Sequence, residues 1–329
     1  MSKETSAWLN QNVLIGFTAK RGKAWHYRAS DQGTEPNHYP AEIPVADVKR
    51  RLFNWIAEPE PIIVRGKVVP NQIAVTASDN DDVLGIHRAG YGIHQYQDWL
   101  VDRVSFMIDD GLQIGSAGLL RGRSQAWVSI EVPDTTTTPE GVQFRPNLIA
   151  CTSHDGSLKT RYKRVVTNVV CDNTMAVGLS EIGQEIAYRH GKKDSFNLIS
   201  AREALAIVHT TSDEFAAQVA ALCRTEVSDT AWRAFLDAHV PITDTKQGRA
   251  LAERKRADLT RLWVSDHRVS PWQGTAWGVV QAVNTHEHHY KTVRNVSRPE
   301  RNMARVVDDS VRKLDDATIT ALHRVLAAA

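Results

Sequence analysis

Four cations fall within six positions of the stretch SHDGSLKTRYKRVVTNVVCDNTMAVGL, residues 153–179: Lys159, Arg161, Lys163 and Arg164. Lys and Arg are the side chains that neutralise phosphates. On a strand, Lys159, Arg161 and Lys163 share one face with about 6–7 Å between neighbours, close to the phosphate spacing of an extended nucleic-acid strand. Thr160, Tyr162 and Arg164 lie opposite, which makes Tyr162 a core residue rather than a stacking platform. The same composition also describes an edge strand guarded by charge against aggregation. Two further groups extend a cationic patch. Arg121 and Arg123 stand in LLRGRS, and Lys20, Arg21 and Lys23 in TAKRGKAWHYR. Trp25, His26 and Tyr27 add aromatic surface beside the last group, which suits single strands better than duplex.

Other chemistries find less support. The run GLQIGSAGLLRGRS invites a phosphate loop, but GxxxxGK[ST] requires Gly at 117 and Lys at 123, where the chain has Ala117 and Arg123. A glycine-softened strand pair is the plainer reading. Gly90-Tyr91-Gly92 falls short of a dinucleotide fingerprint. In HEHHY, residues 286–290, His286 and His289 have a usable i, i+3 metal spacing on a helix, but HExxH is absent and no third ligand stands out. We therefore expect no bound metal and no cofactor. No GxSxG elbow occurs and no carboxylate pair stands out at active-site spacing, so nothing marks the chain as an enzyme.

These groups must be carried by strands in the first half of the chain. IPVADVKRRLFNWIAEP predicts a helix through Val45, Val48, Leu52 and Trp55, started by Pro44 and ended before Pro59. PIIVRGKVVPNQIAVTA predicts two strands around a Pro-Asn turn. IHQYQDWLVDRVSFMIDDG predicts a second helix through Tyr96, Trp99, Arg103 and Met107, closed by Gly111. AWVSIEVP alternates, with Val128, Ile130 and Val132 on one face and Trp127, Ser129 and Glu131 on the other. DTTTTPEG reads as a loop. VQFRPNLIACTS and SLKTRYKRVVTNVV form an antiparallel hairpin across Asp155-Gly156. Beyond about residue 180 the pattern turns helical. Ser200 and Glu203 make a capping box, and helices are predicted in SDEFAAQVAALCR, DTAWRAFLDAH, GRALAERKRADLTRLW, TAWGVVQAVNTHEHHY and DATITALHRVLAAA. Strands first and helices later predict an α+β fold: a core domain over 1–180, with an antiparallel sheet and helices, and a helical region over 181–329 packing on it.

The chain has 329 residues, 42% of them apolar, enough for a sizeable core. Its net charge is only +2, so any anion site is a local patch. Cys151, Cys171 and Cys223 form no disulfide framework, which fits a reducing cytosol. MSKETSAWLNQNVLIG has no long apolar segment and no 18-residue apolar run occurs, so the expectation is a soluble, cytoplasmic protein without membrane contact. The apolar face of TAWGVVQAV, with Trp277 and Val280, is expected to drive homo-oligomerisation.

The stretches WLNQNVLIGFTAKRGKAWHYRA, GYGIHQYQDWLVDRVSFMIDD, LQIGSAGLLRGRSQAWVSIEVPD, TSHDGSLKTRYKRVVTNVVCDNTM and GTAWGVVQAVNTHEHHY resemble an uncharacterised phage/plasmid-like protein family of actinobacterial phages, plasmids and laterally transferred regions. This kind of phage protein is in turn distantly similar to the Redβ, RecT and Erf-type single-strand annealing proteins. That resemblance implies a curved antiparallel sheet, a helix lining a basic groove, assembly into rings or filaments, and no need for ATP. The expectation is a bacterial-host cytoplasmic protein that binds single-stranded DNA and promotes annealing in phage recombination. Phosphates would be held by Lys159, Arg161, Lys163 and Arg164, with Arg121, Arg123, Lys20, Arg21 and Lys23 extending the groove. The alternatives are a phage protein that modulates a host defence or replication factor, and a metal-dependent nucleic-acid enzyme built on His286 and His289.

Overall fold

The computed structural model describes residues 3–24, 27–105, 112–131, 135–168, 173–175, 185–190, 214–294, 298–307 and 310–328. Helices and antiparallel sheets are mixed, with most strands in the N-terminal half and helices filling the C-terminal half. The fold is α+β, as the order of the sequence patterns predicts. No helix among the described residues is long and apolar enough to cross a membrane.

The chain divides into two compact units: Met1–Asp134, Pro146–Val165 and Glu181–His209 in the first, and Thr135–Arg145, Val166–Ser180 and Thr210–Ala329 in the second. Within the first unit, the described residues Glu185–Tyr188 form a strand, where helix was expected.

In the first unit, helix α1 (Lys3–Asn12) leads into β1 (Val13–Ile15), a single turn α2 (Thr18–Arg21) and helix α3 (Val45–Leu52). Strands β2 (Ala57–Val64), β3 (Lys67–Ala77) and β4 (Val83–Arg88) form a three-stranded sheet. A helical stretch over 96–105 with one π-turn, Asp98–Asp102, follows. The main sheet takes β5 (Gln113–Leu120), β6 (Gln125–Glu131), β8 (Gln143–Ser153), β9 (Thr160–Asn168) and β11 (Glu185–Tyr188), with β7 (Thr136–Thr137) and β10 (Asn173–Met175) at its margins. Its order is β1-β5-β6-β8-β9-β10, with β11 also paired to β9 and β7 to β8. The unit boundary falls within β8 and β9.

Several local readings are refined. Helix α3 starts after Pro44 and buries Val48 and Leu52 as its spacing predicts, but it ends before Trp55, and Pro59 lies inside β2. The hairpin turn between β2 and β3 is Arg65-Gly66, with φ of 51° and 77°, the left-handed pair that a two-residue turn requires. Pro70 and Asn71 lie within β3. Asn71 adopts a left-handed φ of 58° near the point where the β2–β3 register shifts, so it makes a bulge rather than a turn. The Asp155-Gly156 turn between β8 and β9 stands as predicted, with Gly156 at φ 73°. Thr136 and Thr137, expected in a loop, pair with Phe144 and Gln143. Met107, Gly111, Val132, Ser200 and Glu203 lie outside the described residues.

β6 is central, and all seven of its residues are buried, so its alternation sorts two covered faces rather than a core face and a wet one. Trp127 lies opposite Gly118, where a Cβ would come within 2.1 Å of the indole ring; at Gly115 a Cβ would meet the buried Glu131 carboxylate at 1.4 Å. The glycines of the GLQIGSAGLL run thus make room for two large side chains of the neighbouring strand.

The second unit is built on helices α4 (214–224), α5 (Asp229–His239), α6 (Lys246–Ser265), α7 (Ala276–Thr285), α8 (Arg298–Val307) and α9 (Ser310–Ala328). Ser228, Thr245 and Thr275 cap α5, α6 and α7, their hydroxyls accepting from the backbone N–H of Ala231, Gly248 and Gly278 at 3.1, 3.1 and 3.2 Å. The core is aromatic: Trp232 stacks on Trp263 at 4.6 Å, and Phe215 packs edge-on against Trp277. Trp277 and Val280 are wholly buried within this unit, so the TAWGVVQAV face is core and offers no oligomer surface.

Candidate functional site

β9 is not an edge. Over Thr160–Lys163 it is flanked by β8 on one side and by β11 on the other, with Glu185 opposite Lys163 and Ala187 opposite Arg161. Tyr162 is core, as expected, and its hydroxyl donates to the Trp99 carbonyl at 2.6 Å. The cationic row fares differently. Lys159 is exposed, Arg161 is half-buried and Lys163 is only 5% exposed, so Lys163 is out of reach of a solvated phosphate. The alternation of Lys159, Arg161 and Lys163 could not reveal that burial, nor the strand β11 beside them. The side chain of Arg164 lies outside the described residues.

The outlying cations do not join one groove with that strand. Arg123 is held in place: its guanidinium bridges both oxygens of Asp79 at 3.0 and 2.9 Å and lies 4.1 Å over the Trp55 ring, so it braces the sheet. Lys20 and Lys23 follow β1, four strand spacings or about 19 Å from β9. β1 also runs away from the β5–β6 turn, since Val13 faces Gly118 and Ile15 faces Ser116. Lys23 instead stands 4.0 Å over the Tyr27 ring. The Arg21 side chain, Trp25 and His26 lie outside the described residues. Arg121 remains available, 53% exposed and 4.0 Å from Asp155.

What does converge near the β8–β9 turn is a column of rings. His87 on β4 stacks on Tyr91 at 3.7 Å; Tyr91 stacks on His190 at 4.9 Å; His190 meets His94 at 4.4 Å; and His94 stacks on Trp99 at 3.9 Å. The column passes from half-buried His87, Tyr91 and His190 to buried His94 and Trp99. Hydrogen bonds fix each ring. His87 Nε2 donates to the His154 carbonyl at 2.7 Å, and the Tyr91 hydroxyl donates to the Ser153 carbonyl at 3.1 Å. His190 faces the Gly92 carbonyl through Nδ1 at 3.1 Å and the Leu158 carbonyl through Nε2 at 3.0 Å. His94 Nδ1 meets Thr160 Oγ1 at 2.6 Å, which in turn meets Thr152 Oγ1 at 2.7 Å. Gly156 is required here, because a Cβ would stand 2.9 Å from His87 Cε1. Beside the column, His154 stacks on Tyr96 at 4.0 Å, with no hydrogen-bond partner at either ring nitrogen.

Burial, with the nearby charge of His190, pushes both His94 and His154 down to about 3. Burial likewise raises the Tyr91 and Tyr96 hydroxyls, with Asp155 adding to both. Near neutral pH His94, His154, Tyr91 and Tyr96 are therefore uncharged stacked rings rather than acid–base pairs. Exposed cations lie close to the column's members along the chain: Lys159 follows the turn, Arg189 precedes His190, and Arg121 reaches toward Asp155, while Arg88 follows His87 but lies on the other face of β4, with Ile86. The alternation of the cationic strand gave no sign of His87, Tyr91, Arg88, Arg189 or His190. The only local signal is the spacing of His87, Tyr91 and His94 in HRAGYGIH.

The HEHHY segment has a different role. It forms a π-turn, His286–Tyr290, at the end of α7 and buries Glu287. The carboxylate accepts from Lys291 at 2.8 and 3.1 Å, from Arg305 at 2.7 Å, and from Arg301. Burial pushes this carboxyl up, but the Lys291 hydrogen bond and the charges of Arg305, Lys291 and Arg301 outweigh it and bring it to about 2. Arg301 also donates to the Glu287 carbonyl, and Asn302 to the His288 carbonyl, at 3.0 and 3.1 Å, so the turn anchors α8. Burial depresses His286, and holds His288 down to about 3. Among the described residues, no three His, Cys, Asp or Glu side chains stand where they could hold a metal ion.

Residues 83–308 match a family described as a domain of unknown function, DUF932, and the chain belongs to that family. The match takes in the whole ring column and the π-turn. No curated protein matches the chain, and no solved structure does.

Proposed function

We propose that this member of the DUF932 family binds single-stranded DNA and promotes the annealing of complementary strands without a nucleotide cofactor, in a bacterial host cytoplasm and in the service of phage recombination. The observation that carries the reading is the ring column, together with exposed Arg88, Arg121, Lys159 and Arg189 adjoining it along the chain or at the turn. Single-strand binders combine rings on which bases stack with cations that follow the backbone, and neither needs sequence-specific contacts. The distant resemblance to annealing proteins supports the same class. The site moves, however, from the buried length of β9 to the turn at its start.

The test is anisotropy of labelled oligo-dT across a salt series. Replacing Arg88, Arg121, Lys159 and Arg189 together with Ala is expected to flatten the slope of log affinity against log salt by up to about 2.8, at roughly 0.7 per phosphate contact. Lys163→Met is expected to leave the slope unchanged, because that ammonium is buried. Absent binding at low salt, or a slope the quadruple variant does not change, overturns the proposal.

A further inference from the structure

The β2–β3–β4 sheet carries an exposed apolar surface that the nucleic-acid site does not use. Six of the ten exposed large apolar residues among those described lie on or beside it: Ile56, Ile63, Val64, Val68, Val83 and Ile86. Ile63 and Val68 are each 61% exposed and pair across the hairpin just below its Arg65-Gly66 turn. By strand alternation the other face carries Val64 paired with Lys67 near the tip and, nearer the base, the rows Glu60–Ala74–Ile86 and Glu58–Thr76–Val83. The opposite face of the base is committed to the core through Ala57, Val75 and Ala77.

Charge is ordered along this hairpin. Glu58 and Glu60 stand at the base and Arg65 and Lys67 at the tip, all four exposed and none in an ion pair among the described residues. The distance from Glu58 to Arg65 along the strand is about 23 Å at 3.3 Å per residue. A hairpin with an acidic base, an apolar middle and a basic tip is complementary to its own antiparallel copy. Simple strand addition at the β2 edge is disfavoured, because Pro59 and Pro61 have no N–H to donate. The contact must therefore be made by side chains.

We propose that the β2–β3 hairpin is a self-association arm. Two copies pack their arms antiparallel about a two-fold axis near Pro61–Ile63. Arg65 and Lys67 of one lie over the partner subunit's Glu58 and the partner subunit's Glu60, with Val64 and Ile86, on the face that carries those acids, covered between them. A two-fold contact of this kind is closed at two copies; alone it builds a dimer, neither a ring nor a filament. It stands apart from the nucleic-acid reading, since none of these residues belongs to the ring column or its four cations.

Sedimentation over a wide concentration range tests it. The unmodified chain is expected to dimerise, and Val64→Asp with Ile86→Asp to give a monomer with unchanged circular dichroism. Two charge-reversed forms, Arg65→Glu with Lys67→Glu and Glu58→Lys with Glu60→Lys, are each expected to be monomeric alone and to associate when mixed. An unmodified chain that stays monomeric, a dimer that survives the Asp substitutions, or reversed forms that fail to associate when mixed overturns the proposal. Oligo-dT binding by the monomeric variants reports separately on the ring column.

Discussion

His154 is wholly buried, stacks on Tyr96 and leaves both ring nitrogens without hydrogen bonds. Burial, reinforced by neighbouring histidine charge, holds it down to about 3 in the folded chain, whereas the unfolded chain takes up its proton near 6.5. Between these values the unfolded state binds the extra proton, so the stability present above about 6.5 is lost as pH falls, by about 1.4 kcal/mol per pH unit for this one group. His154→Phe keeps the stack and removes both orphaned nitrogens. Urea midpoints compared at about pH 7 and about pH 5 are expected to fall less in the variant than in the parent chain; an equal fall would show that His154 is not the group that titrates. This column was only faintly legible in the sequence. His87, Tyr91, His94 and His190 come from β4, the following loop and the residues after β11, and no periodicity ties such positions together. Tyr162 was legible as core because strand alternation alone decides its side. Lys163 was not, because alternation gives the side a residue faces and not what covers that side; nor could it show that β9 pairs with a strand beginning 22 residues later, at Glu185.

At the scale of elements, turn chemistry and helical patterning carried most of the legible information. Asp155-Gly156 marked its hairpin, and residue pattern marked α5, α6 and α7, whose Ser228, Thr245 and Thr275 caps only the structure brings out. Arg65-Gly66 was overlooked because Pro70-Asn71 is the stronger turn signal in isolation; within paired strands Asn71 absorbs its left-handed φ in a bulge instead. HEHHY was read for its histidines, while the structure gives the central part to its glutamate. Glu287 ties the π-turn to α8 through Arg301 and Arg305. Glu287→Gln keeps the shape but leaves those guanidinium groups and Lys291 facing a neutral amide, and breaking a buried charge pair in this way costs about 3–5 kcal/mol. Chemical denaturation near neutral pH is expected to show that loss. Because the folded carboxyl lies at about 2, below the ordinary 4.5, its contribution is fully present above about 4.5 and fades as pH falls toward 2. The gap between parent and variant should therefore close over that acid range. A gap that is absent at neutral pH, or that persists unchanged at pH near 2, would rule out the ionised carboxylate as the source of the anchoring.

The whole molecule carries a net charge of only +2, so it has no general attraction for DNA and must act through a local surface. Two complementary strands repel one another most strongly at low salt. Under the proposed reading, the four cations would neutralise part of each backbone while leaving base edges free, which would lower that barrier without covalent chemistry or stored energy. The acceleration of annealing is therefore expected to be greatest at low ionic strength and to fade as the Debye length shrinks to about 10 Å at 0.1 M salt. If the β2–β3 arm pairs two copies, each dimer presents two such surfaces, one for each strand. The dimer-breaking substitutions at Val64 and Ile86 should then slow annealing while leaving the affinity of each copy for oligo-dT intact. Mixing complementary fluorescent oligonucleotides with the parent chain and the arm variant, with and without ATP and magnesium across a salt series, separates these contributions. An absolute requirement for ATP, or no acceleration at any salt concentration, rejects annealing as the function. Acceleration unchanged in a variant shown to be monomeric keeps the binding surface and removes the dimer from the mechanism.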